Sequence, residues 1–168
     1  MQFSSQEEYG LRCLLRLAQQ GPGASVTINE ISQAEGISVP LTAKMMRILR
    51  EGGLVTSERG QSGGYRLARA PEEITVKQAL ATLGGDLFGG EFCGKFAGQE
   101  ELCTHSINCS IRSLWRAVQS VVDQLLSRTT LSDLICGENE MDKFVDNLVV
   151  LTNTMNSSNL QTLEAKHG

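Results

Sequence analysis

Three of the five cysteines in the 168-residue chain fall in one stretch, FCGKFAGQEELCTHSINC, where Cys93, Cys103 and Cys109 are spaced C-x9-C-x5-C. Thiolates ligate soft metals, so an iron–sulfur cluster and zinc are both chemically admissible, as is redox chemistry of the thiols themselves. The gaps are looser than the C-x2-C knuckles of structural zinc sites. Glycines crowd the approach, at Gly84, Gly85, Gly89, Gly90, Gly94 and Gly98. A loosely held group is one that can be lost or attacked, which favours a sensing iron–sulfur cluster over a bracing zinc. A bare thiol sensor, working through sulfenate or disulfide, is the remaining alternative. His105 lies between the second and third cysteines and is a candidate fourth ligand, since imidazole replaces thiolate on the iron of some clusters. The other two thiols read differently. Cys13 sits in an apolar helical run as a small core residue, and Cys136 is expected to pack at the end of a long helix.

Composition narrows the setting. A hydrophobic fraction of 40% and a charged fraction of 20% suit a soluble domain with a real core, and no apolar run approaches a membrane span. The first residues, MQFSSQEEYG, carry acids rather than a basic-then-apolar export pattern. A cytoplasmic location with reduced thiols is therefore expected. The net charge of −4 is unevenly spread. Between Gly36 and Pro71 six bases face two acids, a surplus of +4 that leaves −8 for the rest. Including Glu35, Glu72 and Glu73 cuts that surplus to +1, so the basic patch is local and compatible with phosphate contact.

The elements that must position these groups follow from periodicity. Ser4 with Glu7, or Ser5 with Glu8, offers a capping box for a first helix that Gly21-Pro22-Gly23 stops. Thr27 and Glu30 open a second helix ending at Gly36, and Ser38 opens a third that runs to about Gly52. In the third, Leu41, Met45, Ile48 and Leu49 form the inward stripe, whereas Pro40, Ala43, Arg47 and Arg50 face outward with Lys44 at the edge. Helix, short turn and helix with a basic outer face is the helix-turn-helix arrangement. LVTSER and YRLAR then flank GQSGG as a β-hairpin, which after a recognition helix is a wing. Candidate DNA contacts are Thr27, Ser38, Pro40, Ala43, Lys44, Arg47 and Arg50 from the helices. Arg59, Gln61, Ser62, Gly63 and Tyr65 are those of the wing, with Arg59 suited to a narrow groove and Tyr65 to phosphates.

ITVKQALATL gives a further helix capped at Thr75. From Ser110, apolar residues recur at steps of three and four through Ile111, Leu114, Trp115, Val118, Val121, Val122, Leu125 and Leu126. So long an apolar face predicts packing against the same helix of a second copy. The expected fold is mainly α with a small β-hairpin wing. A winged helix-turn-helix domain (1–83) precedes a cysteine loop (84–109), a dimerisation helix (110–136) and a polar tail (137–168). No nucleophile elbow, paired-carboxylate motif or phosphate loop is present, so no catalysis is expected.

With EYGLRCLLRLA, ISQAEGIS, LREGGLVTSERGQSGGYRLAR, the cysteine triad and TTLSDL in place, residues 1 to 136 resemble the bacterial winged-helix iron–sulfur transcription regulators, the IscR/NsrR/RirA group. The resemblance implies a homodimeric regulator, expected to be a repressor, on a palindromic double-stranded DNA operator. It also implies a cluster on Cys93, Cys103 and Cys109 that responds to nitric oxide, iron or redox state. The nine-residue first gap is nearer the nitric-oxide and iron sensors, and Arg112 stands where the biogenesis regulator has its ligating histidine. [4Fe-4S] is thus favoured over [2Fe-2S]. A carboxylate from the partner's first helix completes some such sites; the matching position is Glu8, with His105 as its alternative. A small iron–sulfur redox protein is the reading from another class, and it leaves the wing unexplained.

Overall fold

Three capping boxes mark where helices begin. In the computed structural model, which describes residues 4–21, 23–58, 63–84 and 109–147, the Ser4, Thr27 and Thr75 side chains each accept from the N–H three residues on. Glu7, Glu30 and Gln78 answer at the cap backbone. These boxes start α1 (Ser5–Gln19), α2 (Ile28–Glu35) and α4 (Val76–Leu83). Each satisfies helix-end amides that would otherwise lack partners. Of the two boxes that the sequence allows for α1, the chain uses Ser4 with Glu7, which leaves Glu8 exposed on the first turn. Gly36 ends α2 at φ 63°, a left-handed cap that turns the chain sharply toward α3 (Val39–Glu51).

The core lies where α1, α2, α3 and α4 meet. Leu14, Ile31, Met45, Met46 and Leu49 are fully buried there with Cys13, Ile74 and Leu83. Each large apolar side chain so buried contributes about 1.5–3 kcal/mol before chain entropy is subtracted. Leu41 and Ile48 pack against this cluster from its edge, so the inward stripe of α3 lies as its periodicity predicts. Across the top, Arg12 Nε donates to Glu35 Oε2 at 3.1 Å and ties α1 to the end of α2.

β1 (Val55–Ser57) and β2 (Tyr65–Leu67) pair antiparallel, with Val55 opposite Leu67 and Ser57 opposite Tyr65. A single residue from the α1–α2 connection joins their edge. Val26 N–H donates to the Tyr65 carbonyl at 2.9 Å, and Tyr65 N–H donates to the Val26 carbonyl at 2.8 Å. The wing is thus a two-stranded hairpin pinned at one edge by a single bridging residue.

The long apolar pattern forms α5 (Ser110–Arg128), followed by a break and a separate short helix, α6 (Leu131–Ile135). The sequence pattern takes 110–136 as one helix; Thr130 and Asp133 are the reason it is two. The Thr130 N–H and hydroxyl both donate to Asp133 Oδ2 at 2.7 Å, a fresh start signal. The break itself is extended. Val76 N–H donates to the Thr129 carbonyl at 2.8 Å, Leu131 N–H donates to the Ile74 carbonyl at 2.9 Å, and Leu131 is buried in the core. The first unit of the chain ends at Ile135 and a second begins at Cys136. Residues 138–147 of the second unit are helical, and most of them are exposed. No described helix is long and apolar enough to cross a membrane.

Candidate DNA-reading surface and cysteine site

The outer face of α3 presents Pro40, Lys44, Arg47 and Arg50 to solvent, with Ala43 half-buried beside them. Arg47 makes only a long, exposed contact with Glu51, 3.9 Å within one helix turn, and such pairs contribute little. Among the described residues Lys44 and Arg50 pair with no acid. Ser38 occupies the N-cap of α3, but its side chain makes no capping bond, which leaves an exposed hydroxyl beside a helix N-terminus. That is a setting suited to a phosphate.

Two of the expected contacts have other work as well. The Thr27 hydroxyl donates to Glu30 Oε2 at 2.8 Å, and bonds from Thr27 hold the Glu30 carboxyl below its ordinary range. The ring of Tyr65 packs against the core and its backbone belongs to the Val26 pair, so its first role is to anchor the wing. Gly63 is half-buried at the base of the tip. Arg59, Gln61 and Ser62 lie outside the described residues. The contribution of Val26 was missed from the sequence, because one residue is too short a strand for any periodicity to reveal.

Of the proposed ligand set, Cys109 is described; Cys93, Cys103 and His105 lie outside the described residues. Cys109 is the N-cap of α5, and its Sγ accepts from the Arg112 N–H at 3.4 Å. A helix N-terminus accommodates negative charge, so this sulfur is placed where a thiolate, alone or on a metal, is compatible with its surroundings. The other end of the cysteine stretch departs from α4 beside the first turn of α1. The Gln6 side-chain amide donates to the Leu83 carbonyl, and Glu7 lies against Gly84. Glu8 is exposed on that same turn. Cys13 is fully buried, and burial pushes its thiol up to about 12, which makes it inert. Cys136, expected to be packed, is exposed; it follows the last residue of α6, Ile135, and opens the second unit.

Residues 3–137 match the family described as Rrf2, iron-dependent transcriptional regulator. The chain belongs to the Rrf2 family. It is 32% identical to the protein rrf2 of Nitratidesulfovibrio vulgaris over 80% of this chain and 87% of that one. It is 30% identical to the HTH-type transcriptional regulator IscR of Aliivibrio salmonicida over 87% and 83%. Among solved structures it resembles CymR, the global cysteine regulator of B. subtilis, with a TM-score of 0.67, 27% identity and coverage of 80% and 96%. It also resembles T. potens IscR, with a TM-score of 0.64, 29% identity and coverage of 80% and 86%. This Rrf2-family member is accordingly a DNA-binding transcriptional regulator of winged-helix fold and not an enzyme.

Proposed function

We propose that this Rrf2-family regulator acts as a homodimeric repressor on a palindromic operator, its affinity set by an iron–sulfur cluster on Cys93, Cys103 and Cys109. Glu8 completes the ligand set, with His105 as the alternative, and [4Fe-4S] is the form that three cysteines with one oxygen donor suit. The observation that carries this reading is the position of Cys109. Its sulfur caps the N-terminus of the helix that carries exposed Ile111, Leu114 and Val121, so a change at the sulfur acts directly on the element suited to join two copies. When bound, a cluster supplies a centre that nitric oxide, iron supply or redox state can alter. The chain's own residues do the rest. Cys109 anchors one end of the cysteine stretch at α5, and Gln6 and Glu7 hold its other end at α4. Lys44, Arg47 and Arg50 present charge to the DNA backbone and bases. A differential binding energy of ~1.4 kcal/mol between the two loop states changes operator affinity tenfold.

Anaerobic purification is expected to give a brown protein with iron and acid-labile sulfide in comparable amounts. Cys93→Ala, Cys103→Ala and Cys109→Ala should each bleach it, whereas Cys13→Ala and Cys136→Ala should not. Colourless protein carrying stoichiometric zinc after anaerobic reconstitution overturns the reading. A second reading, a cluster-free thiol switch, is favoured by the likeness to an oxidised form of Staphylococcus aureus CymR, with a TM-score of 0.63 and 25% identity. It predicts a colourless protein whose operator affinity changes reversibly with peroxide and thiol.

A further inference from the structure

The wing is held at its root from two sides, and one residue lies at the tightest point. Val55 of β1 is buried and paired with Leu67, and Ala68 N–H donates to the Leu54 carbonyl at 2.9 Å. Those contacts fix the base of the hairpin in the core. Nearer the tip, Glu58 N–H donates to the Gly64 carbonyl at 2.8 Å, while the neighbouring Tyr65 exchanges its two bonds with Val26. A Cβ on Gly64 would fall 2.7 Å from the Val26 carbonyl oxygen, 2.8 Å from its carbon and 2.6 Å from Ser25 Oγ. The serine hydroxyl can turn aside. The Val26 carbonyl cannot, because its oxygen is bonded to Tyr65 and its side chain is buried. Only glycine therefore lets the strand lie this close.

We propose that Gly64 is a positioning residue for operator recognition: by lying flush on Val26 it seats the start of β2 against the α1–α2 connection and so fixes where the hairpin stands beside α3. The inference rests on the reading of the hairpin as a DNA-contacting wing. A side chain at 64 displaces the strand outward at the start of β2 and strains the Tyr65–Val26 pair at the edge of the core. The buried contacts of α3 are untouched. The defect expected is thus local: the wing's contacts with the DNA flank are lost, and the major-groove contacts of α3 persist.

The test uses the full-length chain and a duplex that the wild-type protein selects from a random pool. Gly64→Ala is expected to lower affinity for that duplex about tenfold or more and to remove hydroxyl-radical protection at the outer flanks. Central protection and affinity for unrelated DNA should stay near wild type at temperatures where the variant is folded, although its thermal midpoint falls. A role in folding alone would instead weaken the whole footprint evenly. Ser25→Val presses on the same contact from the opposite side, and it should reproduce the flank loss in weaker form even if Gly64→Ala does not fold. Arg59→Ala separates the two claims. If Arg59→Ala removes flank protection and Gly64→Ala and Ser25→Val leave it intact, the positioning role is wrong and the wing reading stands. If none of the three changes the flank, the wing does not touch DNA and both claims fall.

Discussion

Helices α3 and α5 are both amphipathic, at 13 and 19 residues, yet Met45, Met46 and Leu49 of α3 are fully buried while α5 has no buried residue at all. On α5, Ile111 is 60% exposed, Leu114 56% and Val121 62%. Its inner side reaches α4, where Lys77 Nζ meets Asp123 at 3.1 Å, and the side chains of Ile111, Leu114 and Val121 stand largely in solvent. The same pattern of spacing thus has two meanings. In α3 the stripe is completed by the chain's own α1 and α2, and polarity is left to the outer face with Lys44, Arg47 and Arg50. In α5 the stripe is left open, and it is there that the proposed second copy would pack.

Substitutions on the two stripes should therefore fail in different ways. The largest effect on the fold belongs to Met45→Ala, which empties a fully buried site and should cost ~2–5 kcal/mol of unfolding free energy, measured by urea titration. Leu114→Asp with Val121→Asp should leave the secondary structure intact and abolish association. Sedimentation equilibrium should then show monomer, and affinity for a palindromic operator should fall at least tenfold because the two half-sites are no longer linked. A wild-type chain that sediments as a monomer at the concentrations used for DNA binding would remove the contrast between the helices.

How much of this was legible beforehand depends on how many residues encode each feature. The stripes of α1 and α3 repeat over three or more turns, and they announce both helix and inward face. The caps at Ser4, Thr27 and Thr75 pair two residues at a fixed offset and are just as clear. The break at Thr129 was lost because the apolar spacing runs up to it and the short T-x-x-D signal at Thr130 was outweighed. Val26 was invisible for a related reason: its strand role is one residue long and is created by Tyr65 and Gly64, far away in the chain. At the cysteine site the residue types were readable from spacing, and the apolar pattern from Ser110 already put Cys109 at a helix start; that its sulfur accepts from the Arg112 N–H only the fold shows.

A smaller effect tests the outer face of α3. Arg50 is exposed with no acid partner among the described residues, so Arg50→Ala should weaken binding to all sequences about equally. It should also reduce the slope of log affinity against log salt by about one, the value for a single phosphate contact. A change confined to one operator position would assign Arg50 to a base edge instead.

The smallest effect at neutral pH concerns the buried end of the comparison. Burial lifts the Cys13 thiol to about 12 from an ordinary 9.0, with the Glu35 charge adding to the shift and Arg12 opposing it. The folded value lies above the unfolded one, so the sign is fixed. Below about pH 9 both states keep the proton and the contribution is complete. Between about 9 and 12 the unfolded chain releases the proton while the folded chain holds it, and stability falls as pH rises. Urea midpoints of wild type and Cys13→Ala should therefore differ by a constant near pH ~7 and converge or cross as the pH is taken to ~10 or above. Thiol reagents should meanwhile label exposed Cys136 at once and Cys13 only on unfolding. Parallel curves across that range, or rapid labelling of Cys13 in the folded protein, would mean that the α1–α2–α3 core is open to water, and the contrast with α5 would lose its buried half.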